Sequence, residues 1–202
     1  MDKFSHFLIN IIDGEKVNYE NIFNNTNPVV MEIGSGKGDF ISTYSRFYPE
    51  INFLGIELKD KRINSILKKL DIDKNKNVKL IKLFVDKDIH KYIEENSIQE
   101  IIIYHPDPWP KTRHHKNRLI QNHFIDALKY MLKPGGRLRI STDDENYADW
   151  IVKLFKKRVD FISKYDEGFA FIKPEDHLDT YFDIIKANEG NETRFMIYNI
   201  SK

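Results

Sequence analysis

From Pro28 onward the chain alternates short β-rich runs with longer stretches of helical period, and that alternation constrains the fold more tightly than any other feature. It describes an α/β domain with a largely parallel sheet. The spacing predicts strands at 29–33, 52–57, 78–84, 100–104, 137–141 and 194–200. Helices are expected at 39–47, 60–70, 89–96, 118–132 and 146–158, with apolar residues such as Phe124, Leu128 and Met131 at helical intervals. Lys133-Pro134-Gly135-Gly136 should end its helix sharply and return the chain to the sheet at Arg137. Residues 1–27 form an N-terminal segment and 28–202 a single domain. Within it, 165–192 breaks the rhythm and carries Phe169, Phe171, Tyr181 and Phe182 among acids, which reads as a structured flap over one end of the sheet.

Composition then removes whole classes of function. The chain holds no cysteine, so disulfide scaffolds, cysteine-bound metals and thiol nucleophiles are excluded. No apolar run approaches the roughly 20 residues of a membrane helix. The N-terminus sets Asp2 beside Lys3, with no small-residue cleavage site after its short apolar run, and does not read as a signal peptide. A cytoplasmic protein is expected. The 32 basic and 31 acidic residues leave a net charge of only +1, so any anionic partner must be met by a local cationic cluster rather than by the whole molecule.

In a doubly wound sheet, ligands gather at the carboxyl ends of the strands. The first strand runs into Glu32-Ile33-Gly34-Ser35-Gly36-Lys37-Gly38-Asp39, where Gly34 and Gly36 let the backbone approach a ligand closely. A dinucleotide fold favours G-x-G-x-x-G, and Glu32 would repel a pyrophosphate; E-x-G-x-G-x-G instead resembles the turn of S-adenosylmethionine-dependent methyltransferases, which implies an acid facing a cationic amino-acid group. The second strand ends at Glu57, 23 residues beyond Gly34, placed to accept from a ribose diol. The third leads to Asp86, a candidate acceptor for an adenine amino group, with Asp88 the competing candidate and helix capping the alternative role.

After the fourth strand comes His105-Pro106-Asp107-Pro108-Trp109-Pro110-Lys111-Thr112-Arg113-His114-His115-Lys116-Asn117-Arg118. The prolines restrict the backbone on both sides of Asp107 and hold its carboxylate rigidly at the site end of the sheet. Lys111, Arg113, Lys116 and Arg118 form the densest cationic run in the chain, suited to nucleic-acid phosphates. Metal binding by His105, His114, His115 and His123 is disfavoured, because adjacent histidines do not readily converge on one ion from an extended loop. The fifth strand ends in Ser141-Thr142-Asp143-Asp144 and offers a further acid at the same edge.

Together, the glycine turn, Glu57, P-D-P-W-P-K-T-R-H-H-K-N-R and S-T-D-D-E-N-Y closely resemble the bacterial tRNA (guanine-N7)-methyltransferases, the TrmB family, from about Pro28 to the C-terminus. The resemblance implies a Rossmann-like S-adenosylmethionine-dependent methyltransferase fold, with a mostly parallel seven-stranded sheet and helices on both faces. It implies methyl transfer to guanine N7 at tRNA position 46, in the variable loop. It places Glu32, Gly34, Gly36, Glu57, Asp86 and Asp107 at S-adenosylmethionine, and Lys111 and Asp143 at the substrate. Thr180-Tyr181-Phe182-Asp183 occupies a substrate-binding motif of the family, with Asp183 one methylene shorter than the usual Glu. The N-terminal segment carries only Lys3 and Lys16, fewer basic residues than relatives often have.

Guanine N7 has an exposed lone pair and no proton, so its methylation needs positioning and charge stabilisation rather than a base. Asp107 is the expected essential residue, with Arg113, Lys116 and Arg118 on tRNA phosphates. Two rivals use the same fold. A nicotinamide oxidoreductase leaves the basic run unexplained, and a non-catalytic tRNA-binding protein would bind tRNA without turnover.

Overall fold

A computed structural model describes residues 2–177 and 179–201. Its sheet has eight strands: β1 (Leu8–Ile9), β2 (Val29–Ile33), β3 (Asn52–Glu57), β4 (Val78–Lys82), β5 (Ile98–Tyr104), β6 (Leu132–Thr142), β7 (Phe161–Ser163) and β8 (Arg194–Ile200), in the order β1-β4-β3-β2-β5-β6-β8-β7. Pairings from β1 to β6 are parallel, whereas β8 runs antiparallel to both β6 and β7. Strand order reverses between β2 and β5, so the turns leaving these two neighbours define the switch point where a crevice opens.

Every residue of β2 and β3 is buried, because helices cover both faces of the sheet. Val29, Met31 and Ile33 point to the side packed by α5 (Asn122–Met131) and α6 (Glu145–Phe155). Val30 points the other way, toward Phe40, Ile41 and Tyr44 of α3 (Asp39–Phe47) and Ile63, Ile66 and Leu67 of α4 (Asp60–Lys69). At Gly38, which caps α3, an added Cβ would lie 2.8 Å from the Ile66 side chain, so only glycine lets α3 and α4 approach this closely.

Several elements differ from expectation. The eighth strand comes from the N-terminal segment: α1 (Lys3–Phe7) leads into β1, which pairs Leu8 with Leu80 and Ile9 with Ile81. Two residues are too few to show a period. A further short helix of that segment, α2 (Tyr19–Phe23), is capped by the Asn18 side chain. Its two lysines are used internally, Lys3 on the Leu67 and Leu70 carbonyls at the end of α4 and Lys16 on the Tyr130 hydroxyl. The helix expected at 89–96 is a 3-10 turn, Lys87–Lys91, and the one expected from 118 starts at Asn122. Lys133–Gly136 lies within β6 at a register shift rather than ahead of the strand.

The segment after β7 returns across the sheet and ends in α7 (Tyr181–Asn188). It is pinned from below. Arg137 reaches both Glu100 and the Asp176 carboxylate at 3.0 Å, Arg139 donates to the Asp176 carbonyl at 3.2 Å, and the Tyr44 hydroxyl donates to the same carbonyl.

Candidate active site

Two adjoining clefts of about 540 and 590 Å³ open at the switch point. They share Gly34, Arg62, Tyr104, His105, Pro106 and Asp107, so the segment leaving β5 is the wall between them. The first cleft holds Glu32, Gly36, Asp143, Thr180 and Phe182. The second holds Glu57, Asp86, Lys116 and Arg118. Lys111, Arg113, Tyr181 and Asp183 line neither.

On the glycine turn, Gly34 has φ +80°, and a Cβ added there would meet nothing within 4 Å, so its bare backbone faces open space. Behind it Glu32 is buried, and its Oε2 has no hydrogen-bond partner. Burial pushes its carboxyl up to about 8, against the lowering effect of the Ser35 hydroxyl. An orphaned buried acid beside a bare backbone cradle fits a ligand that brings a cation, as the ammonium of S-adenosylmethionine would.

Glu57 is already well engaged. Its Oε1 accepts from the amides of Leu58 and Lys59 at 2.9 Å, its Oε2 from Gly36 at 3.0 Å, and Arg62 stands 3.5 Å away. What it retains for a ribose hydroxyl is the spare capacity of Oε2. Asp86 lines the second cleft and at the same time accepts from the Asp88 amide at 2.8 Å as a cap. Asp88 faces Lys91 instead, at 3.1 Å.

Asp107 is exposed, lines both clefts, and makes no hydrogen bond or ion pair among the described residues. The loop around it is strained: His105 and Trp109 both sit at φ +46°, a left-handed conformation costing of order 1–3 kcal/mol for a non-glycine residue. The His105 amide is tied to the Ser141 carbonyl at 2.9 Å, which holds the turn in place. Lys111, Arg113 and Lys116 are exposed beyond it.

Arg118 corrects the expectation that it contacts phosphate. It is 3% exposed, donates from Nε to the Pro108 carbonyl at 2.8 Å, and lies over the rings of Tyr147 and Trp150. Its spacing in the basic run is that of a nucleic-acid contact, but the two aromatic rings and the Pro108 carbonyl hold it inward.

Asp183 is likewise turned inward. It forms a capping box with Thr180, accepting from the Thr180 amide and hydroxyl at 2.8 and 2.7 Å, and also accepts from His105 Nε2 at 2.8 Å and His177 Nε2 at 3.1 Å. Burial disfavours its charge, yet these hydrogen bonds together hold its carboxyl well below the usual range. His177, Asp179 and Asp183 bring potential ligand atoms within 4.8 Å of one another, but Asp183 and His177 bond each other and Asp179 holds Lys173 at 2.9 Å. Residues that the sequence reading passed over are Lys37, whose ammonium lies 3.3 Å from the centre of the Tyr181 ring, and Lys186, 3.4 Å from Asp143. Lys186 follows Asp183 by three residues, a spacing that would have placed it on the same face had 181–188 been read as a helix.

The family model described as "Putative methyltransferase" matches residues 26–172. A tRNA (guanine-N(7)-)-methyltransferase of Nitrosomonas europaea is 38% identical over 74% of this chain and 66% of its own length. One from Oceanobacillus iheyensis is 32% identical over 92% of this chain and 87% of its own. The chain belongs to the tRNA (guanine-N7)-methyltransferase family. Among solved structures, the 16S rRNA methyltransferase KamB superposes with a TM-score of 0.61 over 95% of this chain and 99% of that one, at 11% identity, which shows a shared Rossmann-like methyltransferase fold. No helix among the described residues is long and apolar enough to cross a membrane.

Proposed function

We propose that this member of the family transfers a methyl group from S-adenosylmethionine to guanine N7 at position 46, in the variable loop of tRNA. The observation that carries the reading is the pairing of Glu32, buried with an unpartnered oxygen, with Asp107, whose unengaged carboxylate borders both clefts. Glu32, Gly34, Gly36, Glu57 and Asp86 would hold the cofactor, which supplies an electrophilic methyl group when bound. The cleft walls orient the purine, and orientation of this kind supplies roughly 7–11 kcal/mol of a barrier. As the ring gains positive charge, Asp107 and Asp143 become stronger partners for its N–H groups, so they favour the transition state over the ground state. Lys111 would meet the substrate from outside the clefts, and Arg113 and Lys116 offer exposed charge to phosphates. Thr180 and Phe182 line the first cleft and would contact the substrate there.

The test is to incubate the protein with an unmodified tRNA transcript and labelled S-adenosylmethionine, then map the product by N7-methylguanine-specific strand cleavage. Label at guanine 46 is expected. Label on another base, or tRNA binding without label, would remove this reading.

A further inference from the structure

His105 has no part in the chemistry above, yet its ring is held from several sides. Its side chain is 6% exposed, Nε2 meets Asp183 Oδ1 at 2.8 Å, and Phe182 stacks on the ring at 6.1 Å between centroids. Its Nδ1 is buried without a hydrogen bond, 3.6 Å from Asp143. Because the ionised Asp183 can only accept, His105 donates from Nε2 in either charge state. One imidazole therefore stands between an acid of helix α7 and the acid at the end of β6.

Beside the stacking of Phe182 on His105, helix α7 meets the rest of the site through Tyr181 under Lys37, Lys186 on Asp143, and Asp183 on His105. The first two contacts are partly exposed and screened by solvent. The third is buried on both partners, where loss of one leaves the other unsatisfied. His105 also sits two residues before Asp107, on a left-handed turn whose amide is tied to the Ser141 carbonyl, so the bond from its ring to Asp183 links α7 to the turn that carries the carboxylate.

We propose that His105 is a positioning residue for methyl transfer, latching α7 over the first cleft so that closure of the helix and the placement of Asp107 are set together. The proposal rests on the methyl-transfer reading. The two amide variants separate a latch from mere packing. In His105→Gln the amide nitrogen falls where Nε2 lies and can still reach Asp183; in His105→Asn it falls where Nδ1 lies and cannot. Three quantities are measured: single-turnover rate at saturating tRNA and S-adenosylmethionine, tRNA affinity, and the rate of tryptic cleavage after Lys186 with S-adenosylhomocysteine bound. The Asn variant is expected to lose roughly 30- to 100-fold in saturated rate with affinity within about threefold of the parent, and to be cut faster at Lys186. The Gln variant should recover most of the rate and the protection. If the Asn variant does not fold, Asp183→Asn replaces it, with the same loss expected. Indistinguishable rates and cleavage for the Asn and Gln variants would overturn the latch. Should the parent itself transfer no methyl group, the functional reading fails, and cleavage alone then decides the latch: equal cleavage of the two variants overturns it, slower cleavage of the Gln variant supports it.

Discussion

Arg118 donates from Nε to the carbonyl oxygen of Pro108 at 2.8 Å, joining the far end of the basic run to the loop that carries Asp107. The guanidinium lies 4.9 Å from the Tyr147 ring centre and 5.2 Å from that of Trp150, and both aromatics bond the backbone of Ile120. The proline loop is thus braced by helix α6 through a single cation.

Arg118→Ala is expected to lower stability by about 2–3 kcal/mol, since it removes a charged hydrogen bond and leaves aromatic faces uncovered. It should slow saturated methyl transfer but leave the salt dependence of tRNA binding unchanged. Arg118→Lys should recover little, because an ammonium cannot stack as a planar group does. Urea unfolding together with a salt titration checks this.

Arg113 and Lys116 should behave in the opposite way. Their charges are exposed, and phosphate contacts act equally in ground and transition states. Changing both to alanine should weaken tRNA binding and reduce its log–log salt slope by about one to two units at an unaltered saturated rate. An unchanged slope would move the tRNA surface elsewhere, most directly to the flap around α7.

Glu32 links cofactor binding to pH. With its carboxyl raised to about 8 by burial, it is protonated in the free protein at pH 7 and ionises when an ammonium arrives. Binding of S-adenosylhomocysteine at pH 7 should therefore release close to one proton, fewer as the pH rises through 8, and none in Glu32→Gln. Calorimetry in buffers of different ionisation enthalpy measures the number. The same shift means that Glu32 stabilises the free protein less as pH climbs from about 5 toward 8, since the unfolded chain loses its proton first.

Much of this architecture is legible in the sequence where local pattern and burial agree. The runs at Val29–Ile33 and Asn52–Glu57 and the helix Asp39–Phe47 match residue for residue, because a buried strand reads as a short apolar run bounded by turn residues and an amphipathic helix carries a 3.6-residue period. The strand Leu8–Ile9 is invisible, since its place depends on the edge of β4. Helix α7 went unread, although Thr180 and Asp183 have the spacing of a capping box, because an acid shorter than the customary Glu stands at the end of the box and the segment lacks a clear apolar period. The side-chain directions of Arg118 and Asp183 were not readable, because each is decided by aromatic or histidine partners distant in sequence.

Asp107→Asn keeps the volume of the carboxylate and removes its charge. If the carboxylate offsets the charge that builds on the purine, the change should cost ~3–4 kcal/mol in the barrier, a drop of about 100- to 1000-fold, with tRNA binding retained. A single-turnover rate within about threefold of the parent would take Asp107 out of that role.

In the proposed reaction guanine N7 itself is the nucleophile, held in place without a base. This is tested most directly with a tRNA carrying 7-deazaguanine at position 46, where a C–H replaces the N7 lone pair and the Watson–Crick edge is kept. Parent-like affinity for this tRNA is expected, with no methyl incorporation from S-adenosylmethionine under single-turnover conditions. Methyl incorporation into it at the rate of the unmodified transcript would rule out N7 as the acceptor.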